Sequence, residues 1–117
     1  MKLRIRGNSI RLRLTKGEVE RFAKGEPVEE IIDLTPVKFV YELRVGEVES
    51  ITASFDGGRM TVSVPELEAR EWASTETVGM EAGGRVRVLI EKDFACVKPR
   101  AGEDESDMFD HPTATAC

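Results

Sequence analysis

The sequence predicts an α+β domain built on a curled antiparallel sheet of about six to eight strands, with two helices on the apolar face of the sheet. Apolar and charged residues alternate with period two at the start of the chain and again in several later segments, as in two-faced strands. Short turn signals such as Gly7-Asn8 join neighbouring strands, and this favours antiparallel pairing. Two helix-start signals interrupt the strands.

The first hairpin is the clearest element, because residues 1–14 alternate on both sides of the Gly7-Asn8 turn. Folding on that turn brings the apolar side chains together on one face and the cationic side chains together on the other, provided that the register is kept. The apolar face should contain Leu3, Ile5, Ile10, Leu12 and Leu14.

The first helix should begin after Thr15 and end near Lys24, because Thr15 and Glu18 form a capping-box pattern and Gly25 suits a helix end. The second helix should begin at Pro65. The side chains expected to face inward are Val19, Phe22 and Ala23 in the first helix, and Leu67, Trp72 and Ala73 in the second.

The remaining strands follow from alternation and from turn residues. They are predicted over residues 28–34, 37–45, 51–55, 60–64 and 85–93, and residues 78–80 fit either a short strand or a loop. No internal repeat is apparent in the sequence, and a barrel-like sheet is the alternative architecture.

Composition indicates one globular soluble domain, with 40% hydrophobic and 33% charged residues in a chain of 117. We assign residues 1–98 to the domain and 99–117 to an acidic tail. No apolar run is long enough to cross a membrane, and the start of the chain lacks the apolar core of a secretory signal. The two cysteines form no disulfide framework, which favours a cytoplasmic location.

Charge is unevenly distributed around the net value of −5. Residues 1–24 carry eight Lys or Arg against two Glu, whereas residues 101–117 carry five acids and no Lys or Arg. The overall acidity argues against a general nucleic-acid binder, although a local basic patch can still bind a nucleic acid. The partners expected for that patch are an acidic protein or a small anion.

The candidate binding residues are arginines on the polar faces of the first and last strands. Like charges across a strand pair repel one another, so neighbouring acids or a bound anion should compensate them. Arginine suits anion binding because its planar guanidinium group grips carboxylate and phosphate oxygens in pairs. The candidates are Arg4, Arg6, Arg11, Arg13, Arg85 and Arg87.

No catalytic constellation or cofactor motif stands out in the sequence. The one histidine, His111, lies in the tail, which excludes a histidine-based metal site or triad in the core, and we expect no metal and no cofactor. Cys96 reads as a small apolar residue at a strand end rather than as a nucleophile. A triphosphate-binding barrel would need alternating glutamates on a strand, but Glu47/Glu49 and Glu66/Glu68 lie in turn or helix contexts.

The tail has two interpretations. It reads as a solvated acidic extension, but its apolar pair Met108-Phe109 suggests an anchor that docks beside the arginines.

The segments MKLRIRGNSIRLRLT, EKDFAC and GEDESDMF together resemble a family of short uncharacterised bacterial proteins that share a domain of unknown function. The resemblance covers nearly the whole chain and implies a cytoplasmic bacterial protein. It implies no activity, ligand or catalytic residue.

Three functions fit these patterns. The first is a non-enzymatic interaction module that binds an acidic partner, or its own tail, through the arginines. The second is a small enzyme or sensor that clamps a phosphorylated metabolite with the same residues. The third is a structural domain that forms a homodimer through an exposed strand edge.

Overall fold

A computed structural model describes residues 1–95 together with Asp107 and Phe109. These residues form eight strands and two helices, which confirms the α+β class. In chain order the elements are β1 (Lys2–Arg6), β2 (Ser9–Leu14), α1 (Lys16–Ala23), β3 (Val28–Asp33), β4 (Lys38–Gly46), β5 (Thr52–Asp56), β6 (Arg59–Pro65), α2 (Glu66–Ser74), β7 (Gly79–Ala82) and β8 (Arg87–Lys92).

Both hairpins with two-residue turns form as predicted. In β1–β2, Arg6 faces Ser9 across a turn in which Gly7 has a φ of 53°. In β5–β6, Asp56 faces Arg59, and the turn uses positive φ at both Gly57 and Gly58. Gly58 is also required for space, because a Cβ atom there would lie 2.7 Å from the Lys38 carbonyl oxygen. Glycine therefore determines the register of these two ribbons.

The prediction of one antiparallel sheet is wrong. The strands form two four-stranded mixed sheets, ordered β1-β2-β8-β7 and β3-β4-β6-β5, and the described residues form no closed barrel. Each outer pair is antiparallel, but the central pairs β2–β8 and β4–β6 are parallel. A hairpin turn determines the orientation only of the strands it joins. The central pairs unite strands from different hairpins, so chain adjacency does not predict their orientation.

The fold contains an internal repeat that the sequence analysis missed. The order strand-strand-helix-strand-strand occurs twice, first from β1 to β4 and then from β5 to β8. Exchanging the two halves converts one sheet order into the other. The centres of the sheets match as well, because Arg87 donates its backbone N–H to the Asn8 carbonyl and Val40 donates its N–H to the Gly58 carbonyl, at 2.9 and 2.8 Å.

Buried side chains follow the same repeat at a spacing of about 50 residues. Leu12, Leu14 and Phe22 in the first half correspond to Val62, Val64 and Trp72 in the second, and all six are at most 2% exposed. Each side chain of this kind contributes about 1.5–3 kcal/mol when it is buried. Each sheet takes one hairpin from each half, so the two halves share one core.

The helices pack against each other on the apolar side of the sheets. α1 contacts β2, β3 and β4, whereas α2 contacts β4 and β6. Phe22 and Trp72 meet edge to face with ring centroids 6.0 Å apart, a favourable geometry for aromatic rings. Two predicted core residues are wrong: Ala23 is exposed, and Leu67 in the first turn of α2 is 79% exposed.

The predicted capping box of α1 is present and also contacts the N-terminus. The Thr15 hydroxyl accepts from the Glu18 N–H, and the Thr15 N–H donates to Glu18 Oε1. The other carboxylate oxygen of Glu18 binds the Met1 α-ammonium group at 2.5 Å, and Glu30 binds that group at 2.6 Å. Tyr41 donates its hydroxyl to the Met1 carbonyl at 2.8 Å. One glutamate therefore caps a helix and neutralises a charge in the core.

These contacts shift three pKa values. Burial alone would lower the pKa of the Met1 ammonium group, but Glu18 and Glu30 raise it above its ordinary value near 8. Burial would raise the pKa of Glu18, but the ammonium group and the Thr15 N–H lower it. The pKa of Tyr41 is raised above 10 by burial and by the two carboxylates.

We predict that the free energy of unfolding decreases as the pH rises above about 8. A group whose folded pKa is raised stabilises the fold fully below its unfolded pKa and loses that stabilisation as the pH passes its folded pKa. Urea unfolding at pH values between about 7 and 9.5 measures this loss of stability. In that pH range Tyr41 stays protonated, so its ionisation does not contribute.

Glu30→Gln should lower the stability near neutral pH and flatten the alkaline decrease, because one carboxylate no longer holds the ammonium proton. Glu20→Gln, on the exposed side of α1, is the control with the same charge change. Parallel pH profiles for the wild type and Glu30→Gln would contradict the prediction.

Candidate anion-binding face

The arginine face is the outer face of the β1-β2-β8-β7 sheet, opposite the buried core. The alternation in β2 buries Ile10, Leu12 and Leu14 on one side and leaves the intervening side chains on the other. The same alternation in β1 and β8 completes the arginine face, whose basic residues are Lys2, Arg4, Arg6, Arg11, Arg13 and Arg87.

The strand register places cations directly opposite each other on this face. Lys2 is the cross-strand partner of Arg13, and Arg4 is the partner of Arg11. Cβ atoms of such partners are about 4.5–5.5 Å apart, and like charges at that separation destabilise a strand pair. The alternation in the sequence predicts this crowding, and the register produces it.

Glu91 of β8 compensates part of this charge. It is the neighbour of Arg13 across the parallel pair, and its Oε1 atom lies 3.3 Å from Arg13 Nε and 3.4 Å from Arg11 Nε. The side chains of Glu91, Arg13 and Arg11 are only 21%, 10% and 18% exposed. Partial burial strengthens the ion pairs and also makes the loss of one partner costly.

Two further ion pairs lie at the margins. Lys2 contacts Asp93 at 3.1 Å, and Arg87 contacts Glu81 at 3.1 Å. Among the described residues, three carboxylates thus contact a face that carries six basic side chains. Neighbouring acids account for several of the arginine contacts, as the simpler interpretation of the sequence expected.

A concavity of about 300 Å³ opens on this face. The described residues that line it are Lys2, Leu3, Arg4, Arg11 and Arg13. Its polar lining is the ammonium group of Lys2 and the guanidinium groups of three arginines, because the Leu3 side chain lies on the opposite face of β1 and packs against the core. Such a lining suits an anionic group.

The structure places the other predicted residues less centrally. Arg85 is exposed in the turn before β8, and its carbonyl accepts a hydrogen bond from the Asn8 side chain at 2.9 Å. Phe109 is fully exposed, so its position gives no support to docking of the tail, which stays a prediction. Met108, Cys96 and His111 lie outside the described residues.

The second half of the chain provides an internal comparison for the arginine face. The strands equivalent to β1 and β2 are β5 and β6, and the equivalent outer positions hold small polar residues. Thr52 and Ser54 occupy the positions of Lys2 and Arg4, and Thr61 and Ser63 those of Arg11 and Arg13. The same backbone therefore forms without cations at these positions.

The chemistry available on the face is charge pairing and hydrogen-bond donation. Residues 1–95 contain no histidine and no cysteine. Within the described part of the chain, no group of three or more acidic, histidine or cysteine side chains has the arrangement of a metal site. Neither of the two helices has the length and apolar character needed to span a membrane. The arrangement suits the binding of carboxylate or phosphate groups.

Comparison with known proteins identifies a family but no activity. Residues 1–113 match the model of a family of unknown function, DUF7009, so the chain belongs to that family. No curated protein and no solved structure matches the chain.

We predict that Glu91→Gln lowers the free energy of unfolding by about 1–3 kcal/mol, because two partly buried guanidinium groups lose their shared carboxylate. Chemical denaturation at low salt measures the change. The control is Glu81→Gln, whose pair with Arg87 is well exposed and should contribute at most about 1 kcal/mol. Equal effects of the two substitutions would contradict the importance of Glu91.

Proposed function

We propose that this member of the DUF7009 family is a non-enzymatic binding module that holds an acidic protein segment on its arginine face. The observation that carries the proposal is the contrast between the two halves. Equivalent positions hold Arg4, Arg11 and Arg13 on one sheet and Ser54, Thr61 and Ser63 on the other. The same strand pair forms with serine and threonine at these positions, so we infer that the arginines, beyond their pairing with Glu91, serve recognition.

Electrostatics supports an anionic partner. Each pair of like charges facing across β1 and β2 opposes folding by about 0.2–1 kcal/mol. A carboxylate-bearing segment placed over the face reverses the sign of that interaction, because each new carboxylate lies near two cations. Binding of this kind weakens with salt, since exposed charges are screened over about 8 Å at physiological ionic strength.

The chain's own acidic tail, residues 101–117, is one source of such a segment. It carries five acids and no Lys or Arg, which complements the composition of residues 1–24. Another protein with an acidic segment is the other source. A bacterial and cytoplasmic setting, implied by the resemblance and the cysteine count, remains part of the proposal.

The concavity of about 300 Å³ favours a second candidate, the binding of a phosphorylated metabolite by the same arginines. This volume lies at the lower end of typical small-molecule sites. The two candidates differ in the ligand and not in the residues, so one set of variants tests both.

The test titrates the full chain into fluorescein-labelled decaglutamate and follows the anisotropy. We expect Arg4→Ser with Arg13→Ser to weaken binding by at least about tenfold, or about 1.4 kcal/mol, because two central cations are lost. These replacements copy the residues of the second half, so the fold should be retained. Arg21→Ala with Arg44→Ser removes two exposed charges elsewhere and is the matched control.

Tripolyphosphate and unlabelled decaglutamate are then compared as competitors of the labelled peptide. If tripolyphosphate displaces it at a much lower concentration, the result favours the metabolite candidate. Equal weakening by the test and control pairs would show only non-specific charge attraction and would refute the site. Neutralising Glu103, Asp104 and Glu105 to amides in the full chain should tighten decaglutamate binding if the tail occupies the face, whereas unchanged binding would exclude the tail.

A further inference from the structure

Strand β5 ends the second sheet, and no described strand pairs with its outer edge. The sheet order places it beside β6 alone, and four of its five residues are exposed. Asp56 and Arg59 close a two-residue hairpin, so Thr52, Ser54 and Asp56 direct their backbone groups toward β6. By the same alternation, the N–H and C=O groups of Ala53 and Phe55 point away from the sheet.

The other three edges carry features that oppose edge-to-edge pairing. β1 has a cation at every second position, β3 has three acids, and β7 has only four residues. β5 contains no Lys, Arg or Glu, and its single charge, Asp56, is its last residue. The contrast with β1 is informative because the two strands occupy equivalent places in the repeat.

An exposed aromatic residue marks the same edge. Phe55 is 63% exposed, and its ring stacks on Phe39 with centroids 6.1 Å apart and planes inclined at 26°. Ala53, two residues away on the same face, is small and only half-buried. The edge therefore presents one large and one small apolar residue next to backbone groups that, within residues 1–95, have no strand partner.

We propose that β5 pairs antiparallel with β5 of a second copy of this chain, around a two-fold axis at Ser54. In that register Phe55 of each copy faces Ala53 of the other, so large and small side chains complement each other. The outward groups of Ala53 and Phe55 then form about four hydrogen bonds across the axis, as in an ordinary antiparallel ladder. The contact uses the same surface on both copies and closes as a dimer.

Charge is compatible with this register. Asp56 of one copy faces Thr52 of the other, so no like charges are directly opposed. The two Asp56 residues lie four positions apart along the ladder, about 14 Å at 3.4 Å per residue. That separation exceeds the screening length of about 8–10 Å at physiological salt. The arginine face lies on the other sheet, so dimerisation through β5 is independent of the proposed binding function.

Sedimentation velocity of the full chain over a range of concentrations is the first test. We expect a species of twice the chain mass, and Phe55→Lys should weaken its formation by at least about tenfold, or about 1.4 kcal/mol. Leu67→Lys is the matched control, since Leu67 is an equally apolar and more exposed residue on α2. It should leave the dimer unchanged.

Disulfide trapping tests the register. With Cys96 and Cys117 replaced by Ser, Ser54→Cys should form a covalent dimer under mild oxidation. Partners at a non-hydrogen-bonded antiparallel position have Cα atoms about 4.5 Å apart, within the range that a disulfide bridges. Thr52→Cys, whose partner is Asp56 in this register, should not cross-link.

Three results would overturn the proposal. A chain that stays monomeric at every concentration has no such interface. A dimer that Phe55→Lys leaves intact and that Ser54→Cys does not trap uses another surface. Open-ended assemblies that grow with concentration would indicate head-to-tail pairing of β5 with a charged edge such as β1.

Discussion

The parallel pairing of β2 with β8 and of β4 with β6 is the constraint on which the rest of the structure depends. Each pairing joins a strand of one half to a strand of the other, so each sheet is completed only when both halves are present. The core then lies between two shared sheets and two contacting helices, with Phe22 and Trp72 edge to face. A single half would expose one face of each hairpin and would bury too little apolar surface to offset its conformational entropy.

Local features of this fold were predictable because local chemistry determines them. The Gly7-Asn8 turn, the Thr15–Glu18 capping box and the alternation in β2 all follow from residues that are close in sequence. The grouping of Arg4, Arg11 and Arg13 on one face was predictable for the same reason, since it needs only the period of a strand and one turn. The role of Glu91 was not predicted, because it depends on a parallel pair whose strands lie far apart in the chain.

The internal repeat escaped sequence reasoning because few residue identities are shared between the halves. What they share is volume and burial: Ile10, Leu12 and Leu14 are matched by Met60, Val62 and Val64. Hydrophobic cores tolerate such replacements when patterning and total volume are kept. The two turns differ, with Gly-Asn in the first and Gly-Gly in the second. A comparison of apolar patterns at a spacing of about 50 residues, rather than of identities, is the signal that would have revealed the repeat.

Comparing equivalent positions of the two halves distinguishes residues that the fold requires from residues that have another role. Where both halves keep an apolar side chain, as at Leu12 and Val62, the fold itself explains the residue. Where the two halves hold different types of residue at equivalent positions, a local contact must explain the difference. The surroundings of the N-terminus give an example. Glu30 and Tyr41 contact Met1, whereas the second half has Ala82 and Val88 at the equivalent positions, where the chain continues through Ile51. The arginines of the first sheet depart in the same way. Arg11 and Arg13 share the Glu91 carboxylate, but the strand pair itself does not need them, because their positions in the second half hold threonine and serine. The asymmetry of the surface on a symmetric scaffold is therefore the best guide to where this protein makes its contacts.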